Sequence, residues 1–499
     1  LTRVLAGRYG APFTYAAAAS GSESAPGQLT AAQMADLFEI RADRVIDLDL
    51  LTILRARTRP LVLTCRPVSQ GGSWDDADPR RRMTLLEGVK RRFDYVDIEL
   101  RSGFLDVMVE KVGEGLIVSH HDLEGVPLDL DGLYKEMTDV GADIAKIVAT
   151  PQSIAEVGRL LEFAARVRDE GGTPLIALAM GPLGTLTRVL AGRYGAPFTY
   201  AAAASGSESA PGQLTAAQMA DLYRVRNVTP ATKVYGVLGR SVQRSLSPVL
   251  HNRALEARGL DAVYVPLQAE ALPPFIEALP ALGLSGFSVT QPYKVEILPY
   301  LQEVDEPAAL AGSVNTVVVH DGTLQGSTTD GTGVLVPLKK KIDVKGKNVV
   351  ILGAGGAARA AALALMRKGA HVTVLARDVD KAEEVGTALG CGSGPLHEAS
   401  LYPWDILINA TPVGSGDTIQ ETPLPIELHR AGAVVLDMIY DPLETRFLRE
   451  AKAAGGKTID GLQMLLAQAV AQFETWTGLE APVDTMKSAA LFLAQQEES

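Results

Sequence analysis

The chain has 499 residues, 47% hydrophobic and 21% charged, with a formal net charge of −12. That length allows roughly two to four domains with cores of their own, and the absence of an apolar run of about 20 residues excludes a helical membrane protein. The acidic balance argues against a nucleic-acid surface; the only two cysteines, Cys65 and Cys391, lack the spacing of a disulfide framework or zinc site, so no metal and a reducing, cytoplasmic setting are expected.

Leu1 to Leu37 repeats, residue for residue, as Leu186 to Leu222. Two copies so far apart are not a solenoid, and no charged-then-apolar leader follows Leu1. Short β-rich runs then alternate with helical stretches: Leu37–Asp43, Pro60–Pro67, Tyr95–Leu100, Gly115–Asp122, Ile144–Thr150, Pro174–Gly181 and Phe198–Ala204. Seven such runs predict parallel βα units. An eighth comes from the duplicated segment, with Phe13–Ala19 as strand and Thr30–Leu37 as helix, which restores a (β/α)8 barrel over residues 1–226. The basic run Pro79-Arg80-Arg81-Arg82 reads as a solvated loop.

Barrel chemistry gathers at the C-terminal ends of the strands. There the sequence places Glu39 and Arg41, Glu99, His121, Lys146, Met180 and, just beyond, Arg188. Lys146 stands out because both its flanks are apolar; burial disfavours the charged form and leaves a nucleophilic amine. His120 and His121 must point to opposite sides of their strand, so only one enters the barrel, and Glu99 is positioned to orient it.

From about Phe38 to Leu222, these residues resemble the type I 3-dehydroquinate dehydratases. The likeness rests on Glu39-Ile40-Arg41, Asp97-Ile98-Glu99-Leu100, Ser119-His120-His121-Asp122, Ala145-Lys146-Ile147, Ala179-Met180-Gly181, Thr187-Arg188 and Ser209-Ala210-Pro211-Gly212-Gln213. It implies that Lys146 forms an imine with the substrate ketone and that His121, held by Glu99, moves the protons. Arg188, Ser209 and Gln213 would bind substrate, with Glu39 and Arg41 lining the pocket. The duplicates Arg3, Ser24 and Gln28 are expected to be displaced and inert.

A stretch without periodicity, Tyr223 to Thr232, marks a boundary before the strand Lys233–Gly239. Further on, Val349-Val350-Ile351-Leu352 runs into Gly353-Ala354-Gly355-Gly356-Ala357-Ala358, a strand, glycine turn and helix start that suit a dinucleotide. The next strand ends at Arg377 rather than at an acidic residue, which with Lys381 favours the 2′-phosphate of NADP. Ser245 and Ser247, Thr290, and the pair Lys294 and Asp330 read as a site for a polyhydroxylated acid.

From Lys233 to about Glu498 these stretches resemble shikimate dehydrogenase. That implies a substrate domain over 233–331 plus 462–499 and a Rossmann-type NADP domain over 332–461. Substrate residues would be Ser245, Ser247, Thr290, Asn315, Tyr440 and Gln468, with Lys294 and Asp330 moving the proton. Gly353, Gly355, Gly356, Ala358, Arg377, Lys381, Asn409, Thr411 and Pro412 would hold the cofactor. Ser288 and Thr328 stand where the pattern often has Asn. The expected partners are therefore 3-dehydroquinate, 3-dehydroshikimate and shikimate, handled by a monomer or homodimer without nucleic acid or membrane. The alternatives are a quinate/shikimate dehydrogenase with an impaired barrel and a quinate-pathway regulatory sensor.

Overall fold

The computed structural model describes residues 13–17, 35–45, 48–206, 208–428 and 430–497. Arg3, Ser24 and Gln28 lie outside them, as does most of the helix expected over Thr30–Leu37, whose last residue instead opens a strand. Two compact units are present: Leu1–Gly236 with Ser241–Arg244 and Asp261–Leu284, and Val237–Arg240 with Ser245–Leu260 and Ser285–Ser499. Among the described residues no helix is long and apolar enough to cross a membrane.

The first unit is built on β1 (Phe13–Ala17), β2 (Leu37–Arg41), β3 (Leu61–Thr64), β4 (Tyr95–Glu99), β5 (Leu116–Asp122), β6 (Ile144–Ala149), β7 (Leu175–Ala179) and β8 (Thr199–Ala201). They pair in parallel in the order β7-β6-β5-β4-β3-β2-β1-β8. The duplicated β1 takes the first place, with Phe13 opposite Thr199 and Ala16 opposite Glu39, so two copies of one sequence lie side by side.

Because side chains alternate along a strand, one parity of each strand faces the barrel interior. Its lower layers are apolar: Leu37, Val62, Ile117, Ile144, Ile176, Leu178, Phe198 and Tyr200 pack into one buried cluster. Continuing each strand by two residues brings Glu39, Thr64, Ser119 and Lys146 inward, so the same parity that builds the core delivers a polar layer above it. Helices close the outside with ordinary signals. Ser153 caps Ile154–Glu170 by accepting the Glu156 N–H, and Gly171, at φ 70°, ends it in the left-handed region.

After the barrel strands, β9 (Lys233–Gly239), β10 (Ala262–Gln268), β11 (Leu284–Val289), β12 (Glu303–Val304), β13 (Thr316–His320) and β14 (Thr323–Ser327) form a sheet ordered β10-β9-β11-β13-β14-β12. This sheet is mixed rather than a plain series of βα units. β11 and β13 are antiparallel, as are β13 and β14, whose hairpin turns at Asp321 and Gly322, both at positive φ, as a two-residue turn of that hand requires. The following sheet is all parallel, ordered β17-β16-β15-β18-β19-β20, where β15 is Asn348–Leu352, β16 His371–Ala376, β17 Gly392–Pro395, β18 Ile406–Asn409, β19 Val434–Asp437 and β20 Lys457–Ile459. Counted from β15 this is the 3-2-1-4-5-6 order of a dinucleotide fold, with its crevice where β15 meets β18.

Candidate active sites

In the barrel the Lys146 side chain is 4% exposed. Its Nζ donates to Asp97 Oδ2 at 2.9 Å and to the Tyr200 hydroxyl at 2.8 Å, and lies 3.6 Å from Glu39 Oε1. The burial expected from its flanks is present, but two carboxylates and a phenol, not apolar groups, surround the amine. Glu39 is steadied by the Thr64 hydroxyl at 2.9 Å. Asp97 is fully buried, which alone would raise its pKa, yet Arg66 and then Lys146 hold it far below the usual carboxylate range. Arg66 donates to Asp97 at 2.8 Å, Glu99 at 2.9 Å and Ser119 at 2.8 Å.

His121 shares its inward parity with Ser119, while His120 points the other way, near Asp122. Burial, with Arg66 and Lys146 nearby, holds the His121 imidazole well below its ordinary pKa, so it is neutral at physiological pH. Its Nδ1 is buried without a hydrogen-bond partner, and its backbone N–H donates to Gln70 at 3.0 Å.

The expected Glu99–His121 contact is corrected by the structure. Both Glu99 oxygens are taken, one by Arg66 and one by Arg81, and the carboxylate beside the lysine is Asp97, two residues earlier on the same face. The basic run is corrected too: it is helical, Pro79–Lys90, and Arg81 within it is 2% exposed. Arg80 and Arg82 remain exposed as expected.

Arg188 is 1% exposed and donates Nη1 to the carbonyls of Ala179 at 2.5 Å and Gly184 at 3.0 Å. Its Nε has no partner, and burial with no balancing carboxylate lowers its pKa to about 10. A buried guanidinium in that state is an anion receptor. Ser209 and Gln213 bond one another, with Gln213 Nε2 donating to Ser209 Oγ at 3.0 Å, in a loop pinned to the end of β7 by Gly181 N–H to Pro211 carbonyl at 3.1 Å. Arg41 is held by Asp43 through two bonds, of 2.9 and 2.7 Å. Met180 follows β7, 8% exposed.

The second site lies wholly in the second unit. Lys294 Nζ donates to both oxygens of Asp330, at 2.8 and 2.6 Å. Asp330 is fully buried, and its Oδ1 also accepts from Asn315 Nδ2 at 3.0 Å and Gln468 Nε2 at 2.5 Å. Four of the expected residues are therefore one cluster. Ser245 accepts the Ser247 N–H at the start of helix Ser247–Ala257, and Thr290 follows β11 with its N–H on the Leu238 carbonyl. Tyr440 lies three residues past the end of β19.

The glycine turn after β15 approaches this cluster. A Cβ on Gly353, at φ 110°, would meet the Ala410 carbonyl oxygen at 2.9 Å. One on Gly356, the first residue of helix Gly356–Arg367, would lie 2.5 Å from Ser313 Oγ and 3.2 Å from Lys294 Cβ. Gly355 caps that helix with open space before it, and Ala358 packs into the core. Only glycine lets the turn sit this close, and the free N–H groups at the helix start are a phosphate cradle. The residues present therefore fit a dinucleotide.

Opposite, Asn409 ends β18, accepts the Thr411 N–H at 3.0 Å and hydroxyl at 2.7 Å, and donates to Asp437 at 3.0 Å. Pro412 accepts the Ser415 hydroxyl at 2.8 Å. Asp437, which sequence reasoning missed, also takes the Thr445 hydroxyl at 2.7 Å, and burial pushes its pKa up to about 6. Its only sequence signal was an acid at a strand's C-terminal end. Arg377 is exposed after β16, while Lys381 pairs with Asp378 at 3.1 Å.

A buried, carboxylate-flanked lysine in a parallel barrel and a lysine–aspartate pair beside a dinucleotide crevice define a two-site enzyme, a barrel lyase joined to an oxidoreductase. Known proteins agree. The type I 3-dehydroquinase family profile matches residues 1–43 and 31–230, the shikimate dehydrogenase substrate binding domain 237–317, shikimate/quinate 5-dehydrogenase 337–418 and the shikimate 5′-dehydrogenase C-terminal domain 461–491. A chloroplastic bifunctional 3-dehydroquinate dehydratase/shikimate dehydrogenase of Arabidopsis thaliana is 36% identical over 477 residues, covering 90% of this chain and 78% of that protein. The NADP(+) shikimate dehydrogenase of Pyrococcus abyssi is 43% identical over 261 residues, 52% of this chain and 97% of that protein. A crystal structure of shikimate dehydrogenase in complex with NADP+ is similar at TM-score 0.51 and 41% identity, over 53% of this chain and 97% of that one. The chain belongs to the bifunctional 3-dehydroquinate dehydratase/shikimate dehydrogenase family. It is a shikimate-pathway enzyme, lyase and oxidoreductase in one polypeptide.

Proposed function

We propose that Lys146 dehydrates 3-dehydroquinate through an imine and that the product, 3-dehydroshikimate, is reduced to shikimate at Lys294 with NADPH. The observation that carries the reading is the Lys146 amine, buried and aimed by Asp97 and Tyr200 into a mouth that also holds a neutral histidine. Lys146 sheds one ammonium proton and attacks the ketone carbon, and that proton returns to the carbinolamine hydroxyl, which leaves as water as the carbon–nitrogen double bond forms. The cationic imine draws electrons from the neighbouring carbon, whose proton His121 accepts on its free lone pair. The histidine then returns that proton to the departing hydroxyl, which leaves as water, and hydrolysis frees the lysine. Arg188 receives the substrate carboxylate, with Ser209 and Gln213 for its hydroxyls.

In the second site, Gly353, Gly355, Gly356 and the helix start hold the pyrophosphate, Arg377 the 2′-phosphate, and Asn409, Thr411 and Pro412 the opposite side of the crevice. Bound NADPH supplies the hydride. Lys294, oriented by Asp330, gives its proton to the oxygen of the reduced carbonyl, while Asn315 and Gln468 fix the aspartate. We place the enzyme in the cytoplasm as a monomer or homodimer. The test is a coupled assay from 3-dehydroquinate with NADPH, repeated with Lys146→Met and Lys294→Met. Each variant is expected to lose its own step and keep the other; a Lys146→Met chain as active as its parent would overturn the barrel assignment.

A further inference from the structure

The basic run Pro79–Arg82 contains one residue that neither step described above uses. Arg81 sits in the first turn of helix Pro79–Lys90, outside the barrel wall, yet its guanidinium is turned inward and buried. All three nitrogens are committed: Nε to the Cys65 carbonyl at 3.0 Å, Nη1 to the Asp76 carbonyl at 2.9 Å and Nη2 to Glu99 Oε2. From Glu99 the contacts continue inward through Arg66 to Asp97 and end on Lys146 Nζ. The charges alternate in sign, and each carboxylate is bracketed by two cations, Asp97 by Lys146 and Arg66, Glu99 by Arg66 and Arg81.

We propose that Arg81 is a positioning residue for the dehydratase, anchoring Glu99 so that Arg66 stays on Asp97 and Asp97 stays on the reacting lysine. Without it, Glu99 has a single cation, and a buried carboxylate with one partner draws both arms of that guanidinium to itself. Arg66 then leaves Asp97 and Ser119, and the amine loses its fixed direction. The charged groups around Glu99 are Arg66 and Arg81 from neighbouring elements and Asp97 on its own strand, with Lys146 and His121 beyond Asp97. Losing Arg81 therefore favours protonated Glu99.

The inference rests on Lys146 being the imine-forming residue, which borohydride trapping of the parent chain tests separately. The experiment measures dehydratase kcat and KM against pH, with melting temperature, for Arg81→Met, Arg81→Lys and the double variant Arg81→Met/Glu99→Gln in the full chain. Arg81→Met is expected to lose on the order of 10²-fold in kcat with KM little changed, and to recover partly as pH falls and a protonated Glu99 leaves Arg66 to Asp97. Arg81→Lys keeps the charge, so it falls between the two with the parent's pH profile. The double variant, having no Glu99 to ionise, lacks the loss that grows with pH. If Arg81→Met does not fold, the kcat and pH profile of Arg81→Lys and of the double variant decide. Parental kcat in folded Arg81→Met, or losses in every variant that follow only the folded fraction with an unchanged pH profile, would overturn the proposal.

Discussion

Replacing Arg188 by Met separates a binding role from a structural one, because the structure sets the two energies against each other. Burial alone lowers the arginine's pKa from its ordinary value to about 10, so holding the cation inside costs about 3 kcal/mol. A base whose folded pKa is depressed carries that cost at every pH below about 10, so it is constant across the neutral range. Met removes the cost but strands the Ala179 carbonyl, a loss of about 1–3 kcal/mol. The terms nearly cancel, and Tm is expected to move by no more than a few degrees. Binding has no such offset: losing a charge-assisted pair to the substrate carboxylate, about 3 kcal/mol, raises KM for 3-dehydroquinate on the order of 10²-fold. Steady-state kinetics and a thermal melt on the same preparation decide. A KM unchanged from the parent, with Tm well below it, would show that Arg188 is only a bolt between β7 and its loop.

Lys294→Met should lower dehydrogenase kcat by about 10²–10⁴-fold, read as NADPH oxidation with 3-dehydroshikimate, while leaving dehydratase turnover intact. Gly356→Ala forces its methyl against Ser313 and Lys294; KM for NADPH should rise about tenfold and fall back when Ser313→Gly is added, whereas an unaffected KM would remove the turn from the cofactor site. Asp437 is an acid whose folded pKa, about 6, exceeds its ordinary value of 3.8. Its contribution to stability is therefore full below about pH 4 and lost as pH rises through 6, about 3 kcal/mol in all. Melts of the parent should show that step and melts of Asp437→Asn should not.

The parts of the fold that obey a local period were legible in the chain. The apolar run on both sides of Lys146 in Ile144–Ala149 marked a strand buried on both faces and so marked the lysine, and the glycine turn followed its strand where expected. Asp97 and Tyr200 were passed over because their importance is non-local: one lies 49 residues and the other 54 residues from the lysine they contact, and nothing in either strand advertises it. Glu99 was given to His121 on strand adjacency, but the winning partners came from across β3 and from a helix. Arg81 was misread because three arginines in a row look solvated; only the helix phase, which turns the middle one inward, tells them apart. The antiparallel β13–β14 hairpin carried its signal in Asp321-Gly322 and could have been read.

The most direct test of the account is to incubate the full chain with 3-dehydroquinate, reduce with borohydride and map the adduct by peptide mass spectrometry. One reduced adduct on the peptide holding Lys146, absent from Lys146→Met, is the predicted result. Dehydration that proceeds with no adduct, or with the label on another lysine, would contradict it.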